Sequence, residues 1–262
     1  MVLSELQYIL GALSGVLIGF TLGLVGGGGS ILAVPLMVYV VGVKSPHLAI
    51  GTSALAVAAN ALAGLWNHAR EQNVNWRCGG SFALAGVMGA LGGSTLGKAF
   101  DGQKLLFLFA LLMLVVAFAM YRGRGQEGIE GVQCDRDNMP KVIVFGAGTG
   151  MLSGFFGIGG GFLIVPALVA STSMPIYRAI GTSLIAVAAF GLTTAANYAL
   201  SGLLDWPLAA TFIVGGLLGS VLGAAAARKL SAGKGRLNTV FSALIVVVAG
   251  YMLYRNWMAF QS

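Results

Sequence analysis

The chain has 262 residues, 57% of them hydrophobic and 9% charged, with 41 glycines, a mean hydropathy of +0.89 and a formal charge of +7. A soluble domain carries about 25% charged residues, so this composition excludes a soluble globular protein and places the chain in a bilayer. The apolar runs are too long for the period-two strands of a barrel. The expected class is all-α and polytopic, and the basic excess is first a topology signal, not a nucleic-acid surface.

The start, Met1 to Gln7, lacks a basic n-region and a small-residue cleavage site, so the apolar stretch 8–25 is expected to be a retained helix. It runs into Gly26-Gly27-Gly28-Gly29-Ser30. Each glycine costs a helix roughly 1 kcal/mol against alanine. Backbone groups freed at membrane depth must face protein or a polar cavity. The run therefore predicts non-helical backbone at a point where the main chain itself is used. Apolar stretches 30–43, 47–66, 78–97 and 105–121 follow. A full span needs about 20 apolar residues, so the last three qualify and 30–43 is short.

The pattern then repeats. Residues 49–59, AIGTSALAVAA, match 179–189, AIGTSLIAVAA, at nine of eleven positions with an offset of 130. Gly157-Ile158-Gly159-Gly160-Gly161 lies 131 positions after the first glycine run, and Pro35 and Pro166 follow in matching register. The short apolar stretches 142–156 and 162–170 flank it. Short, glycine-interrupted segments at corresponding places in two halves point to a transporter site. The domains expected are a transmembrane repeat at 8–122, a hydrophilic linker at 123–140 and a second repeat at 141–255. Each repeat is read as a glycine-interrupted helical hairpin plus three spanning helices, the hairpin either dipping into the membrane or forming two tilted full spans.

Loop charge sets the parity. If each hairpin enters and leaves on one side, or counts as two full spans, one face receives Arg70, Arg77, Arg122, Arg124, Arg136, Lys141, Arg178, Arg228, Lys229, Lys234 and Arg236. The other receives Lys44, Lys98, Lys104 and Arg255, a ratio of eleven to four. Hairpins counted as single spans would divide the same residues eight to seven. The bias predicts inverted repeats with the linker cytoplasmic and both termini outside.

No Asp, Glu, Lys or Arg falls inside an expected span, which argues against a proton relay, a cation pathway and an intramembrane hydrolase. No catalytic residue, metal set or cofactor is expected. Cys78 and Cys134 form no metal or redox motif and are expected as free thiols. His47 and His68 sit at segment ends as interfacial residues. Lys44 and Arg178 serve as loop anchors or steer anions. No Lys-Ser or Lys-Thr follows either glycine run, so a phosphate-binding P-loop is excluded.

What the interior offers is uncharged donors. Gly26, Gly27, Gly28, Gly29 and Ser30, with Gly157, Gly159, Gly160 and Gly161, each precede a helix whose N-terminal N–H groups favour an anion. Gly51, Thr52 and Ser53 are repeated as Gly181, Thr182 and Ser183. Ser53 and Asn60 share a helix face with Asn67; Ser183 and Asn197 keep that face, with Phe190 in the middle place. These are the expected substrate-binding residues. The plainer alternatives are packing for the glycines and bonds to their own helix for the hydroxyls.

The two glycine runs continue as GGGGSILAVP and GIGGGFLIVP. With the two AIGTS copies they resemble the TauE/SafE family of membrane permeases over essentially the whole chain. The resemblance implies a permease for a small anion such as sulfite or an organosulfonate, exported in bacterial sulfur metabolism. The expectation is a secondary transporter of the inner membrane working by alternating access. The alternatives are a passive anion channel on the same scaffold and a non-transporting scaffold subunit. Ser30 against Gly161 and Asn60 against Phe190 break the symmetry of the two half-sites.

Overall fold

The computed structural model describes residues 4–122, 134–135, 138–157, 161–230 and 245–255. Every element among them is helical. The chain runs α1 (Glu5–Val25), a 3-10 stretch (Gly26–Leu32), α2 (Ala33–Pro35) continuing into a π-helical turn (Leu36–Val40), then α3 (Pro46–Arg70), α4 (Trp76–Ala99) and α5 (Gly102–Arg122). After the linker come α6 (Met139–Phe156), α7 (Gly161–Thr172), α8 (Ile176–Ala199) and α9 (Trp206–Leu230). A last helix, α10, covers Ile245–Arg255. Six of these, α1, α3, α5, α6, α8 and α9, are long and apolar enough to cross a membrane. With 24 residues α4 also has the length, and its seven glycines dilute its hydropathy. The chain is a multi-pass α-helical membrane protein.

The helices overrun the apolar stretches, and polar caps start three of them. Ser45 accepts the Leu48 N–H at 3.3 Å, Asn75 the Cys78 N–H at 3.1 Å and Asp205 the Leu208 N–H at 3.0 Å. The Asn75 cap brings Arg77 into the first turn of α4, and Arg70, Lys98 and Arg178 also fall in end turns that the apolar runs leave out.

The first glycine run differs from expectation. Its backbone is a 3-10 helix, not an irregular loop. Bonding from i to i+3 keeps the N–H groups paired inside the segment, which suits a site without water. The chain still turns back there: a Cβ on Gly29 would collide with the backbone of Thr21 and Leu22. It then descends beside α1 until Gln7 Nε2 donates to the Val41 carbonyl at 3.0 Å. This first hairpin thus starts and ends at one level. Its returning arm is deeply buried, with Ser30, Ile31, Ala33 and Met37 all at 0% exposure. In the second half, α6 ends on Gly157, whose φ of +67° is the left-handed cap that glycine adopts without strain.

The halves interlock. Helix α1 packs parallel to α9, with Gly15 and Gly19 against Phe212 and Gly216. Helix α6 packs parallel to α4 in the same way, with Gly150 and Gly154 against Gly86 and Ala90. Small residues let these backbones touch. Between the two pairs, α3 and α8 run antiparallel. Gly51 meets Tyr198 and Leu203 at one end, while Gly64 meets Leu184 and Gly181 meets Asn73 towards the other.

The free-thiol expectation is overturned: Cys78 and Cys134 form a disulfide, with Cα atoms 5.3 Å apart. Their separation of 56 residues hides the pairing. Helices α4 and α5 carry the chain away from the first turn of α4 and back, which returns the linker to Cys78.

Candidate functional site

The repeated Gly-Thr-Ser sequences sit where the halves touch. Thr52 Oγ1 accepts the backbone N–H of Asp205 at 3.0 Å, and Thr182 Oγ1 accepts that of Asn75 at 2.9 Å. Asn75 and Asp205 are themselves related by the offset of 130. The glycines beside the threonines serve the same contact. A Cβ on Gly51 would strike the Leu203 carbonyl, and one on Gly181 the Asn73 carbonyl. Ser53 and Ser183 donate to the carbonyls of Ile50 and Ile180, at 3.1 and 2.7 Å. The motif is a reciprocal clasp, in which each half grips the cap of a helix from the other.

The glycine runs are placed differently. Gly26 to Gly29 and Ser30 lie in the 3-10 stretch, which packs against α7. Gly29, Ser30, Gly157 and Gly161 are buried. Gly159 and Gly160 lie outside the described residues. Asn197 is engaged: its Nδ2 donates to Ser94 Oγ at 2.6 Å and Thr95 Oγ1 at 3.1 Å, and its Oδ1 accepts from Lys98 Nζ at 2.8 Å.

Groups with unspent bonding capacity are elsewhere. Asn60 is 1% exposed, and neither its Oδ1 nor its Nδ2 has a partner. Ser153 Oγ on α6, and Thr194 Oγ1 and Tyr198 Oη on α8, are likewise buried and unpaired. Thr194 and Tyr198 are four apart and share a helix face. A buried polar group left unpaired costs about 1–3 kcal/mol, and each such group calls for an explanation such as a ligand or a bound water. Asn60 lies on Gly216; at the equivalent place Phe190 lies on Gly86 and stacks with Phe82, ring centroids 6.3 Å apart.

Of these groups, sequence reading picked out only Asn60. Repetition does not mark the others: Thr194 and Tyr198 pair with Gly64 and His68 at the offset of 130, and Ser153 with Leu22 at the 131 of the glycine runs. Polarity at positions that break the symmetry was the available signal.

The two AIGTS copies thus hold the halves together. The model of one family, described as sulfite exporter TauE/SafE, matches residues 11–252. The chain belongs to the TauE/SafE family. A Xylella fastidiosa (strain 9a5c) relative, named as a probable membrane transporter protein, is 53% identical over 245 residues, 93% of this chain and 94% of its own. YunE of Bacillus subtilis (strain 168), named likewise, is 25% identical over 246 residues, 86% and 90% of the two chains. No solved structure matches the chain.

In this TauE/SafE protein both ends of the α3–α8 pair are closed by a histidine and a tyrosine. His47 lies 6.4 Å from Tyr198 and His68 lies 5.9 Å from Tyr177, measured between ring centroids. The offset of 130 exchanges the two types, His47 with Tyr177 and His68 with Tyr198. At the Tyr198 end, Lys98 Nζ donates to the Asn197 carbonyl at 3.0 Å and to Ser201 Oγ at 2.8 Å. At the Tyr177 end, Asn73 Nδ2 lies 2.9 Å from His68 Nδ1 and donates to the Tyr177 carbonyl at 3.0 Å. Tyr177 Oη donates to Glu71 at 3.0 Å. The unpaired Asn60 and Thr194 fall between these closures along their helices.

Proposed function

We propose that the chain is a secondary transporter that exports a small sulfur-containing anion, sulfite or an organosulfonate, across the bacterial inner membrane by alternating access. The family description and the relatives' names support the transporter class. One observation carries the mechanism. Uncharged polar groups with unspent capacity, Asn60, Ser153, Thr194 and Tyr198, are buried in the helices where the two halves meet. They are the groups that replace water around an anion without a fixed charge. Asn60 and Ser153 offer donors from different helices, and Thr194 and Tyr198 offer two from α8.

In this reading 8–122 and 141–255 are inverted repeats about a linker at 123–140. The antiparallel α3 and α8, and a first hairpin that returns to its starting level, support the inversion. The linker is placed in the cytoplasm and both termini outside, from the basic-residue bias. The paired His–Tyr closures favour a carrier, because a channel needs a continuous path whereas a carrier passes through a state shut at both ends. The reading is tested with the purified protein in liposomes loaded with sulfite. It expects saturable efflux accelerated by external sulfite through counterflow. Efflux that neither saturates nor shows counterflow would assign a channel, and none at all would assign a scaffold subunit.

A further inference from the structure

The first turns of α4 and α8 meet at the face where the linker returns, and they leave a cavity of about 170 Å³. Val74, Asn75, Trp76, Arg77, Cys134 and Arg178 line it. The two helices run parallel, since Gly79 meets Thr182 and Gly86 meets Phe190. The bond from the Asn75 N–H to Thr182 ties their starts together. Two helix N-termini, each with a partial positive charge, therefore point the same way beside the cavity. Such an end favours an acidic residue, yet neither first turn has one, and each carries an arginine. Arg178 Nε is shut off from solvent and has no partner. Among the described residues no carboxylate belongs to the lining: Glu71 accepts from Tyr177, and Asp135 is exposed beside Cys134.

Four positive elements around a lining that holds no carboxylate among the described residues are unfavourable when the cavity is empty and favourable around an anion. Arginine matches oxyanions through its planar fork. A water takes about 30 Å³ of liquid, so the cavity holds one small oxyanion with a few waters, and the disulfide fixes Cys134 in its wall. We infer that the cavity between the first turns of α4 and α8, walled by Arg77, Arg178 and the disulfide-bonded Cys134, binds a small oxyanion. The oxyanion is either a free sulfur oxyanion or the phosphate of a lipid headgroup, since exposed Trp76 puts the cavity at headgroup level. This site goes beyond the transport reading and does not depend on it. A chain that binds sulfate here but carries no sulfite would keep the site and sink the transport proposal.

The test is calorimetric titration of the purified full chain, in uncharged detergent, with sodium sulfate and sodium sulfite. Arg178→Gln should weaken binding about ten- to a hundredfold, the loss of one hydrogen bond to a charged group. Lys44→Gln, a basic residue away from the cavity, should leave it unchanged. Arg77→Gln serves if Arg178→Gln is not monodisperse. Native mass spectrometry with phosphatidylglycerol separates the sources. If the headgroup is the occupant, wild type retains that lipid, the arginine variants shed it, and it competes with sulfate. Equal sulfate affinity in wild type and the arginine variants would overturn the site. So would failure of sulfate, sulfite and phosphatidylglycerol alike to bind.

Discussion

Asn60 and Thr52 lie eight residues apart on α3, both buried, and their side chains do opposite work. Thr52 is spent on the Asp205 N–H, while Asn60 has nothing to bond. Replacing a buried, unpaired polar group by an apolar one of similar shape is neutral or stabilising. Asn60→Leu and Thr194→Val are therefore expected to melt at or above the wild-type temperature and to carry substrate more slowly. Thr52→Val and Thr182→Val each leave a helix-cap N–H unpaired, at a cost of about 1–3 kcal/mol. Thermal unfolding in detergent should show that loss in both, with a larger loss in the double variant. The sequence alone presents these threonines as substrate-binding groups. The contacts make them part of the joint between the halves.

At the scale of elements, packing rests on which side of a helix each glycine occupies. Gly92 and Gly93 are neighbours on α4. A Cβ on Gly92 meets nothing, whereas one on Gly93 strikes the backbone of Met151 and Phe155 on α6. Gly93→Ala is expected to destabilise by about 1–3 kcal/mol, as overpacking does, and Gly92→Ala to leave melting unchanged. Similar loss in both variants would mean that α4 and α6 do not pack as described. The helices were legible from apolar length and repetition, and their ends were missed because caps such as Asn75 and Asp205 lie in polar sequence. The glycine run was legible as an interruption of α1. That it closes as a 3-10 helix depends on i-to-i+3 pairing, which composition does not encode. The AIGTS copies announced that something is done twice. What is done twice is the clasp, and its partners, the Asp205 and Asn75 backbones, leave no side-chain pattern to read.

For the whole molecule, the disulfide and the basic residues give opposing signals about sidedness. Disulfides persist in oxidising compartments, and Cys134 belongs to the linker that the charge bias assigns to the cytoplasm. The bias is spread over eleven basic residues against four, and the topology proposed here follows it. Reporter fusions at Gly131 and at the C-terminus are expected to read cytoplasmic and external respectively. The same side for both would remove the inverted arrangement. Thiol labelling of the denatured protein should find no reactive cysteine before reduction and both afterwards.

The central claim is that substrate meets the groups with unspent capacity and not the clasp. Sulfite efflux from proteoliposomes, measured per folded protein for wild type, Asn60→Leu and Thr52→Val, tests it most directly. At roughly 1.5–3 kcal/mol for a hydrogen bond to a charged group, Asn60→Leu should weaken transport about ten- to a hundredfold with stability intact. Thr52→Val should lose stability and keep its rate. Wild-type efflux in Asn60→Leu, together with a collapse of efflux in stably folded Thr52→Val, would contradict the account.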